Sequence, residues 1–345
     1  MDGPSRPSVI ADANLLSEGF MPGNLPGREE QIRQLMRCLE PTVRGAQPMH
    51  LWIYGKPGSG KTATVLHVLA TLNQTASFAS VHINCWEKAS FFAIVEEIVT
   101  QLRILRADEH RTTIKLEKLR QHLKGQRLVA VLDEIDRMRP SERSATLYNL
   151  FALQNTATVC ISNCQDALHE LDERARSRLN FYVLQFSPYS GDELQQILTE
   201  RAGVSLSPDT WSEESLRRIA EVSGGDARIA ISLLRTAANL DSNGSALHLD
   251  DLQRQRALAE KAKITQILNS LTEDHRLLYT IIQRRGEVVS PELWRRYVAR
   301  CRRIGRTPLA TRTFTKYVSQ LLERQLISSE QARAKGRLRV FKVVR

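Results

Sequence analysis

Cysteine, long apolar runs and internal repeats are scarce or missing in this chain of 345 residues. Its five cysteines are odd in number and scattered, so they do not indicate a framework of disulfide bonds. This cysteine usage is most typical of a protein in a reducing compartment. Because no run of 18 apolar residues is present, we expect no membrane span. The first residues include Gly3, Pro4 and Pro7 and lack the apolar stretch of a secretory signal, so residues 1–24 are expected to form a partly flexible tail. No segment recurs at a fixed period, so a repeat architecture is not indicated.

Net charge is distributed unevenly along the chain. Residues 260–345 carry 20 Lys and Arg against 7 Asp and Glu, whereas the remaining residues carry 29 against 31. The formal charge of +11 therefore comes from the C-terminal quarter. A one-sided excess in one segment is typical of a module that binds a polyanion, whereas a merely solvated surface usually carries mixed charges.

The most specific motif is Gly-Lys-Pro-Gly-Ser-Gly-Lys-Thr at residues 55–62, directly after the apolar run 51–54. A strand, then G-x-x-x-x-G-K-[ST], then a helix predicts a loop whose backbone N–H groups bind phosphate oxygens. Lys61 would bind the β- and γ-phosphates, the Thr62 hydroxyl would bind Mg²⁺, and the following helix would direct its positive end at the anion. The expected nucleotide contacts are Gly55, Lys56, Pro57, Gly58, Ser59, Gly60, Lys61, Thr62 and Ala63.

A second motif, Asp133-Glu134, follows the apolar run 128–132. Continuous apolarity is typical of a strand buried on both faces, as in a parallel sheet. Asp133 is expected to hold Mg²⁺ beside Thr62, and Glu134 to orient and polarise an attacking water. Because predicted strands at 50–54, 80–84, 128–132, 157–161 and 181–184 alternate with helices, the sequence predicts an α/β domain with a doubly wound parallel sheet.

Three further polar residues have roles that their own positions leave open. Asn163 follows the strand 157–161, where its amide could bind the γ-phosphate or the water, although Ser-Asn at a strand end is commonly only a turn. Arg178 lies in the basic stretch 174–179, and Arg228 follows Gly-Gly-Asp-Ala at 224–227. Taken alone, either arginine is usually a surface charge or a salt-bridge partner.

Beyond about residue 187 the sequence pattern changes twice. Helical spacing alone continues to about residue 263, and the last segment predicts helices at 273–285, 291–303 and 308–324, then a hairpin with a basic tip at 332–337. Three helices and a hairpin describe a winged helix, with Thr307 as N-cap and Pro308 as first residue of the recognition helix. We therefore predict three domains, at residues 1–186, 187–262 and 263–345. Within the last, Phe314, Val318 and Leu321 would face the core, and the expected DNA contacts are Arg312, Thr315, Lys316, Arg333, Lys335 and Arg337.

The ordered set of motifs resembles that of the AAA+ ATPases. The set is GKPGSGKT, VLDEID at 131–136, ISN at 161–163, RARSRL at 174–179, FSPYS at 186–190 and GGDARIA at 224–230. Within that superfamily it is similar to the initiator branch, the origin-recognition and replication-licensing family of archaea and eukaryotes. The layout of one chain with three parts is most similar to the archaeal members. The resemblance implies a P-loop AAA+ sheet, an all-α lid and a C-terminal winged helix.

The resemblance also implies roles for the residues left open above. Asn163 would be sensor 1, Arg228 would be sensor 2, and Arg178 would be an arginine finger offered in trans, with Arg174 and Arg176 as competing candidates. Residues 25–28 would line the adenine pocket, and Leu25, Arg28, Tyr189 and Arg201 join the implied ATP or ADP contacts. Two features depart from the family pattern. Cys164 stands where an acidic residue often occurs, and the stretch 87–126, with Arg103, Arg106 and Arg111, matches the family's DNA-contacting insertion least clearly.

As a function, the resemblance implies a slow, Mg²⁺-dependent ATPase that binds duplex origin DNA, recruits the replicative helicase and assembles with copies of itself or with related initiators. It implies a cytoplasmic, nucleoid-associated protein, or a nuclear one if the source is eukaryotic. One alternative is a transposition or mobile-element ATPase with an appended winged helix, and another is a signalling ATPase whose winged helix is structural. Sequence-selective duplex binding would separate the first two, and salt-sensitive DNA binding would separate both from the third.

Overall fold

The computed structural model describes residues 12–17, 19–104, 112–207, 210–240, 268, 271–323, 326–331 and 339–343. The chain divides into two compact units, residues 1–253 and 254–345. The predicted boundary at 262/263 falls outside the described residues, so the division into three domains stays a prediction. Among the helices that the structure describes, none combines the length and the apolarity that crossing a bilayer requires.

A five-stranded parallel sheet forms the centre of the first unit. Its strands are β1 (His50–Gly55), β2 (Ala79–Asn84), β3 (Leu128–Asp133), β4 (Thr156–Ser162) and β5 (Phe181–Phe186). They lie in the order β2-β3-β4-β1-β5, and each neighbouring pair is parallel. Every residue of β4 is buried, whereas buried and exposed residues alternate along the edge strand β2. The predicted parallel α/β sheet is confirmed, and the central strands β3 and β4 are buried almost throughout because helices cover both faces.

Helices pack on the two faces of this sheet. One face carries α1 (Glu29–Val43) and α2 (Lys61–Asn73), and the other carries α3 (Phe91–Gln101), α4 (Thr112–His122) and α5 (Pro140–Phe151). The short helices α6 (Asp166–His169) and α7 (Glu173–Arg178) connect β4 to β5. Along β3, Val129 and Val131 contribute to the core under α1 and α2, while Ala130 and Leu132 contribute to the opposite core. This alternation is the period of two that an extended strand imposes.

Helix α1 continues past Pro41, although the sequence pattern predicts that this proline ends it. A proline inside a helix removes one backbone hydrogen bond, but its φ is compatible with the helix. The two residues after it, Thr42 and Val43, are buried against the sheet, and Thr42 Oγ1 donates to Cys38 O at 3.3 Å. Packing of the last turn therefore offsets the missing backbone bond.

Three helices complete the described part of the first unit: α8 (Gly191–Ser205), α9 (Glu213–Ser223) and α10 (Ala227–Leu240). Ser190 and Glu193 form a reciprocal capping box that starts α8, since each side chain accepts from the other residue's backbone N–H. The three helices share a separate core that includes Leu198, Leu216 and Leu234. The predicted all-helical lid is therefore observed over residues 191–240, apart from residues 208 and 209, which are not described.

The second unit combines helices with a small antiparallel sheet. Its elements are α11 (Glu273–Arg285), β6 (Glu287–Val289), α12 (Ser290–Arg303), α13 (Thr311–Glu323), β7 (Ile327–Gln331) and β8 (Arg339–Val343). The sheet order is β6-β8-β7. This succession of helix, strand, two helices and two strands is the element order of a winged helix. The short strand β6 is absent from the sequence-based expectation, because three residues between two helices carry too weak a pattern.

Helix α13 begins at Thr311, three residues later than the pair Thr307-Pro308 predicts. The backbone N–H of Leu309 donates to Tyr297 Oη at 3.3 Å, and Leu309 packs against the core of the second unit. That contact holds the chain before α13 outside the helix, so the expectation that Thr307 caps it is wrong.

The two faces of α13 are divided as its sequence predicts. Phe314, Val318 and Leu321 are buried in the core of the second unit. The predicted DNA contacts Arg312, Thr315 and Lys316 are exposed on the opposite face. The other three predicted contacts, Arg333, Lys335 and Arg337, lie outside the described residues.

Candidate nucleotide-binding site

A cavity of about 630 Å³ opens in the first unit between the carboxyl edge of the sheet and the helices α8 and α10. The structure brings many of the predicted site residues to its wall: Leu25, Gly58, Gly60, Lys61, Thr62, Ala63, Asp133, Glu134, Asn163, Tyr189, Arg201 and Arg228. Gly55, Lys56, Pro57, Ser59 and Arg28 are not among the lining residues. The carboxyl ends of parallel strands are the usual place for a ligand in an open α/β sheet.

The loop between β1 and α2 depends on two glycines with left-handed backbone conformations. Gly58 has φ 72° and Gly60 has φ 82°. A Cβ on Gly58 would lie 2.0 Å from an Asp226 carboxylate oxygen, and one on Gly60 would lie 2.3 Å from Tyr189 Oη. Both positions therefore require glycine for conformation and for space. The loop is thus closely packed against the start of α10 and against the chain that leads into α8.

The Lys61 side chain is buried at the centre of the loop. Its Nζ donates to Gly55 O at 2.7 Å, to Lys56 O at 3.0 Å and to Asn163 Oδ1 at 3.1 Å. Burial lowers the pKa of Lys61 from its usual value of 10.5 to about 8, and the nearby Asp133 carboxylate opposes that shift only in part. A phosphate beside this ammonium would favour its charged form, so the site is electrostatically suited to an anion.

Asp133 and Thr62 place two oxygen ligands side by side. Thr62 Oγ1 donates to Asp133 Oδ2 at 2.8 Å, and His82 Nε2 lies 3.1 Å from the same oxygen. Burial alone would raise the pKa of Asp133, but the hydrogen bonds from His82 and Thr62 outweigh it and hold that pKa below its ordinary value. A hydroxyl beside an ionised carboxylate is the oxygen donor set that Mg²⁺ prefers, so these residues fit the predicted metal.

His82 is a site residue that the sequence gives no signal for. It lies within β2, which is next to β3 in the sheet although the first residues of the two strands, Ala79 and Leu128, are 49 positions apart. The side chain reaches Asp133 only because β2 and β3 pair in parallel. Strand neighbours in a parallel sheet cannot be deduced from one sequence, so the contact is visible only in the structure.

Glu134 directly follows β3 with a left-handed φ of 54°, a conformation that non-glycine residues adopt rarely. Its backbone N–H donates to Asp133 Oδ1 at 2.8 Å. Burial raises the pKa of the Glu134 carboxyl, and the Arg137 guanidinium opposes this. A strained backbone and a raised carboxyl pKa at the wall of a cavity are features found together at catalytic positions.

The segment after Glu134 is held by Arg143, whose side chain is fully buried on α5. Its guanidinium donates from Nε to Ile135 O at 3.2 Å and from Nη2 to Met138 O at 3.0 Å. It also donates to Ala167 O and pairs with Glu170 at 3.2 Å. Sequence reasoning missed Arg143, because an arginine on a helix is ordinarily a surface charge. Here it fixes the backbone that carries Glu134 and joins it to α6.

Asn163 lies within reach of the phosphate loop. Its side-chain Oδ1 accepts from Lys61 Nζ, and its backbone N–H donates to Asp136 Oδ1 at 3.0 Å. Two contacts thus fix Asn163 between β4 and the turn that follows β3. The exposed Cys164 comes next, and its backbone carbonyl accepts a hydrogen bond from Ser162 Oγ at 2.6 Å.

Arg228 projects from the first turn of α10 and lines the same cavity. The start of the helix is capped by Asp226 Oδ1, which accepts from the N–H groups of Arg228 at 2.9 Å and Ile229 at 3.1 Å. The Ala227 N–H donates to Gly58 O at 3.1 Å. The start of α10 is therefore bonded directly to the phosphate loop.

Arg28 supports the loop from beneath, although the family pattern implies a nucleotide contact. Its buried guanidinium donates to Ser59 O at 2.9 Å, to Gly27 O at 2.6 Å and to Ser187 O at 2.8 Å. It also lies 3.7 Å from the centroid of the Tyr189 ring. Through these contacts Arg28 ties the phosphate loop to the entry to α8, and its contact with a nucleotide stays a prediction.

Arg201 holds the N-terminal segment against the lid. Its Nη1 donates to Leu15 O at 2.7 Å, its Nη2 donates to Phe20 O at 3.1 Å, and its guanidinium lies 4.5 Å from the centroid of the Phe20 ring. Leu16 is buried in the lid core. Ser17 and residues 19–24 form a wall of the cavity, while the expectation that residues 1–24 are a partly flexible tail stays a prediction. The sequence signal for this wall is weak, since residues 19–27 are rich in glycine and proline.

The finger candidates lie on α7. Arg176 is exposed, and its Nε donates to Leu171 O at 3.3 Å. The side chains of Arg174 and Arg178 lie outside the described part of the structure. The choice among the three arginines therefore stays a prediction.

Together, the sheet order, the glycine loop between β1 and α2, the carboxylates after β3 and the helical lid define a P-loop ATPase of the AAA class. Comparison with family models supports this assignment to the AAA class. The model described as AAA ATPase domain matches residues 24–162, and the model described as Cdc6 AAA+ ATPase-type lid domain matches residues 195–250.

Comparison with individual proteins identifies the family within this class. The chain is 30% identical over 301 residues to ORC1-type DNA replication protein 1 of Halobacterium salinarum, covering 85% of this chain and 96% of the relative. It is 29% identical over 330 residues to ORC1-type DNA replication protein 9 of the same organism, covering 93% and 91%. This chain belongs to the family of ORC1-type DNA replication proteins, the archaeal AAA+ initiators. A solved structure of the Aeropyrum pernix Orc1 protein in complex with DNA has the same fold, with a TM-score of 0.82 at 22% identity, covering 98% of this chain and 94% of that one.

Proposed function

We propose that this chain is an ATP-dependent replication initiator that binds duplex origin DNA and changes state when its nucleotide is hydrolysed. The observation that carries the proposal is the convergence of Lys61, Asp133, Glu134, Asn163 and Arg228 on one cavity of the first unit. These side chains come from the phosphate loop, the ends of two strands and the start of α10. Such a set can contact every part of a terminal phosphate.

In this proposal the residues divide into a binding set and a reacting set. Lys61 and the loop N–H groups would hold the phosphates of ATP or ADP. Thr62 and Asp133 would hold Mg²⁺, which when bound supplies positive charge against the phosphate oxygens. Glu134 would orient the attacking water and accept its proton, a role that suits a carboxyl whose pKa is raised by burial. Asn163 would hold the water or the γ-phosphate in line.

The lid supports a conformational role for this chemistry. Arg228 would contact the γ-phosphate from the first turn of α10, and the same turn is bonded to the phosphate loop through Ala227 N–H and Gly58 O. Loss of the γ-phosphate would remove the attraction on Arg228 and favour a different position of α10. Turnover would be slow wherever Arg178 must arrive from a neighbouring copy, because an arginine finger accounts for about 10³–10⁵ in rate where it operates.

DNA binding is supported by the second unit and by the relatives. The unit has the element order of a winged helix, and Arg312, Thr315 and Lys316 are exposed along α13, with Arg333, Lys335 and Arg337 proposed to act from the hairpin. The Aeropyrum pernix Orc1 protein, whose fold this chain shares, was solved in complex with DNA. We extend the proposal to assembly with like initiators, to recruitment of the replicative helicase and to a nucleoid-associated location. The names of the relatives favour replication over the transposition and signalling alternatives.

The proposed function is tested by mapping the DNA sites that the chain occupies in its own cells and comparing them with the positions where replication starts. We expect the strongest sites to coincide with start positions and to weaken when Arg312 and Lys316 are both replaced by alanine. Strong sites that lie away from every start position would contradict the initiator role while leaving DNA binding intact.

A further inference from the structure

The second unit contains a groove of about 560 Å³ that the nucleotide and DNA proposals leave unused. It runs between α11 and α12, and the described residues that line it belong to these two helices and to positions 304 and 306. Along α11 the lining positions are 273, 276, 277, 280, 281, 284 and 285, and along α12 they are 296, 299, 300 and 303. These spacings follow one face of each helix. None of the side chains that the structure describes on α13 lines the groove, so the groove is separate from the predicted recognition face.

Arginine dominates the lining of this groove. Seven of its residues are arginines and one is acidic: Arg276, Arg284, Arg285, Arg296, Arg300, Arg303, Arg306 and Glu273. Arg306 pairs with Glu273 and with Asp274, and Arg296 pairs with Glu292. Arg276 donates to Leu271 O at 3.1 Å from Nη2. Among the described residues, no carboxylate lies within ion-pair distance of Arg284, Arg285, Arg300 or Arg303, and all four are exposed.

Part of this charge has a purely local explanation. Basic residues in the last turn of a helix complement its dipole, and Arg284, Arg285, Arg300 and Arg303 all lie in the last turns of α11 or α12. That explanation accounts for basic residues at each helix end, but it does not account for their meeting in one groove. Like charges that face one another raise the energy of the free domain, and an anionic ligand relieves the repulsion.

The floor of the groove is apolar. Leu277 and Ile281 pack partly against the core of the second unit and also line the groove, and Ile304 is 45% exposed at its end. Packed helices have axes about 8–10 Å apart, so the space between them admits the side chains of a segment that lies over it but not the body of a duplex. A phosphate backbone would contact only the rim, because its contacts are polar, and would leave the apolar floor uncovered.

We propose that this groove binds an acidic, amphipathic segment of a protein partner. Carboxylates of the segment would pair with Arg284, Arg300 and Arg303, since guanidinium groups bind carboxylates through paired hydrogen bonds. Apolar side chains of the same segment would cover Leu277, Ile281 and Ile304. An amphipathic helix seated in a groove is a common mode of peptide recognition. The site is independent of the nucleotide cavity and of the DNA contacts on α13.

The test uses the full chain and a synthetic, fluorescent peptide in which glutamates flank leucines at helical spacing. A second peptide carries serine in place of each leucine and has the same charge. We expect the leucine peptide to bind at least about tenfold more tightly than the serine peptide, because only the former can bury apolar area in the groove. Equal binding of the two peptides would overturn the proposal, since charge alone would then explain the interaction.

A matched pair of variants locates the interaction on α12. The groove variant is Arg300→Glu with Arg303→Glu, and the control is Arg295→Glu with Arg302→Glu, two exposed positions of the same helix that do not line the groove. The groove variant should lose about tenfold or more in affinity for the leucine peptide, and the control should lose less than about threefold. Equal losses would contradict a localised site. If the groove variant fails to fold, Arg300→Gln with Arg303→Gln serves in its place and removes the charge without reversing it.

Binding of a short DNA duplex to the same variants separates this proposal from a second DNA contact. We expect the groove variant and its control to lose duplex affinity to the same extent, because each removes the same charge from the unit. A selective loss of duplex binding by the groove variant, without a selective loss of peptide binding, would assign the arginines to DNA and overturn the proposal.

Discussion

The two units use charged side chains in opposite ways. In the first unit, Lys61 and Asp133 are buried or partly buried at the cavity and each has several partners: Lys61 has three acceptors, and Asp133 has two side-chain donors. In the second unit, basic side chains such as Arg312, Lys316, Arg300 and Arg303 are exposed, and arginines far outnumber the acidic residues in the groove between α11 and α12. Buried charges act through geometry, whereas exposed charges act mainly through the summed field of the surface.

This difference determines what a substitution does in each unit. Removal of one buried group leaves its partners without their hydrogen bonds, so single changes have large and specific effects. Exposed charges are screened by solvent and salt and contribute in small increments, so their removal changes affinity gradually and alters its salt dependence. Substitutions at the nucleotide cavity should therefore have larger effects than substitutions on the exposed surface of the second unit.

The largest effect is expected on turnover. Glu134→Gln keeps the shape of the side chain and removes its ability to accept a proton, so ATP binding should persist while hydrolysis falls by about 10²–10⁴. Glu142→Gln, on the neighbouring helix α5 and away from the cavity, is the matched control and should hydrolyse ATP at the wild-type rate. The measurement is phosphate release under single-turnover conditions. Wild-type hydrolysis by Glu134→Gln would remove Glu134 from the mechanism.

Nucleotide affinity should depend on one of the two lysines in the phosphate loop. Lys61 is buried at the cavity and Lys56 is exposed, although both lie in the same motif. Lys61→Ala should weaken ATP binding by about a hundredfold or more, because a charge-assisted contact to phosphate is lost in a buried site. Lys56→Ala should change it less than about threefold, since that loop position contributes its backbone. Titration with a fluorescent ATP analogue measures both, and similar losses would contradict the assigned geometry.

The stability of the first unit should depend on pH through His50. Burial lowers the pKa of His50 from 6.5 to about 4, while its ring stacks on Phe151 and its Nδ1 accepts from Thr158 N–H. The unfolded chain therefore binds a proton first as pH falls below 6.5, and stability is lost between pH 6.5 and 4. From pH 7 to pH 5 this group should reduce the free energy of unfolding by about 2 kcal/mol.

Urea unfolding at the two pH values tests this assignment. His50→Gln, which keeps an acceptor and does not titrate, should be less stable at pH 7 and should lose less stability on going to pH 5. The exposed His169→Gln should behave as the wild type does. An unchanged pH dependence in His50→Gln would place the titrating group elsewhere.

The smallest effect belongs to the exposed face of α13. Arg312→Ala with Lys316→Ala should weaken duplex binding by about tenfold and reduce the slope of log K against log[salt] by about 2, because two phosphate contacts are lost. The control is Arg217→Ala with Arg218→Ala on α9 of the first unit, where both positions are exposed. Fluorescence anisotropy at several salt concentrations gives both quantities. A control that loses as much affinity would show that overall charge, and not α13, decides binding.

The parts of the fold that follow from local patterns could be predicted from the sequence. Apolar runs located β3 and β4, and the motif at 55–62 located the turn between β1 and α2, because those signals lie within a few neighbouring residues. The end of α1 and the start of α13 could not be predicted in this way. Both depend on tertiary contacts: the burial of Thr42 beyond Pro41, and the bond from Leu309 N–H to Tyr297 Oη.

The residues of the candidate site fall into the same two groups, those predicted by local motifs and those placed by tertiary contacts. Lys61, Thr62, Asp133 and Glu134 belong to short motifs whose chemistry is explicit, and they meet at the cavity as predicted. His82 contacts Asp133, and Arg143 binds the backbone that follows Glu134, from distant parts of the chain. No local sequence pattern predicts either contact. Arg28 is a different case: the family pattern implies a ligand contact, and the structure adds hydrogen bonds from its side chain to three backbone carbonyls that no sequence pattern predicts.

In the function that we propose, the terminal phosphate is sensed through Arg228 and changes how tightly the second unit holds DNA. The most direct test measures duplex affinity of the full chain with ATPγS and with ADP, in the wild type, in Arg228→Ala and in the control Arg235→Ala, an exposed position of the same helix. We expect the affinity to depend on the nucleotide in the wild type and in the control, and this dependence to disappear in Arg228→Ala. Equal wild-type affinities with the two nucleotides, or a difference that survives Arg228→Ala, would contradict it.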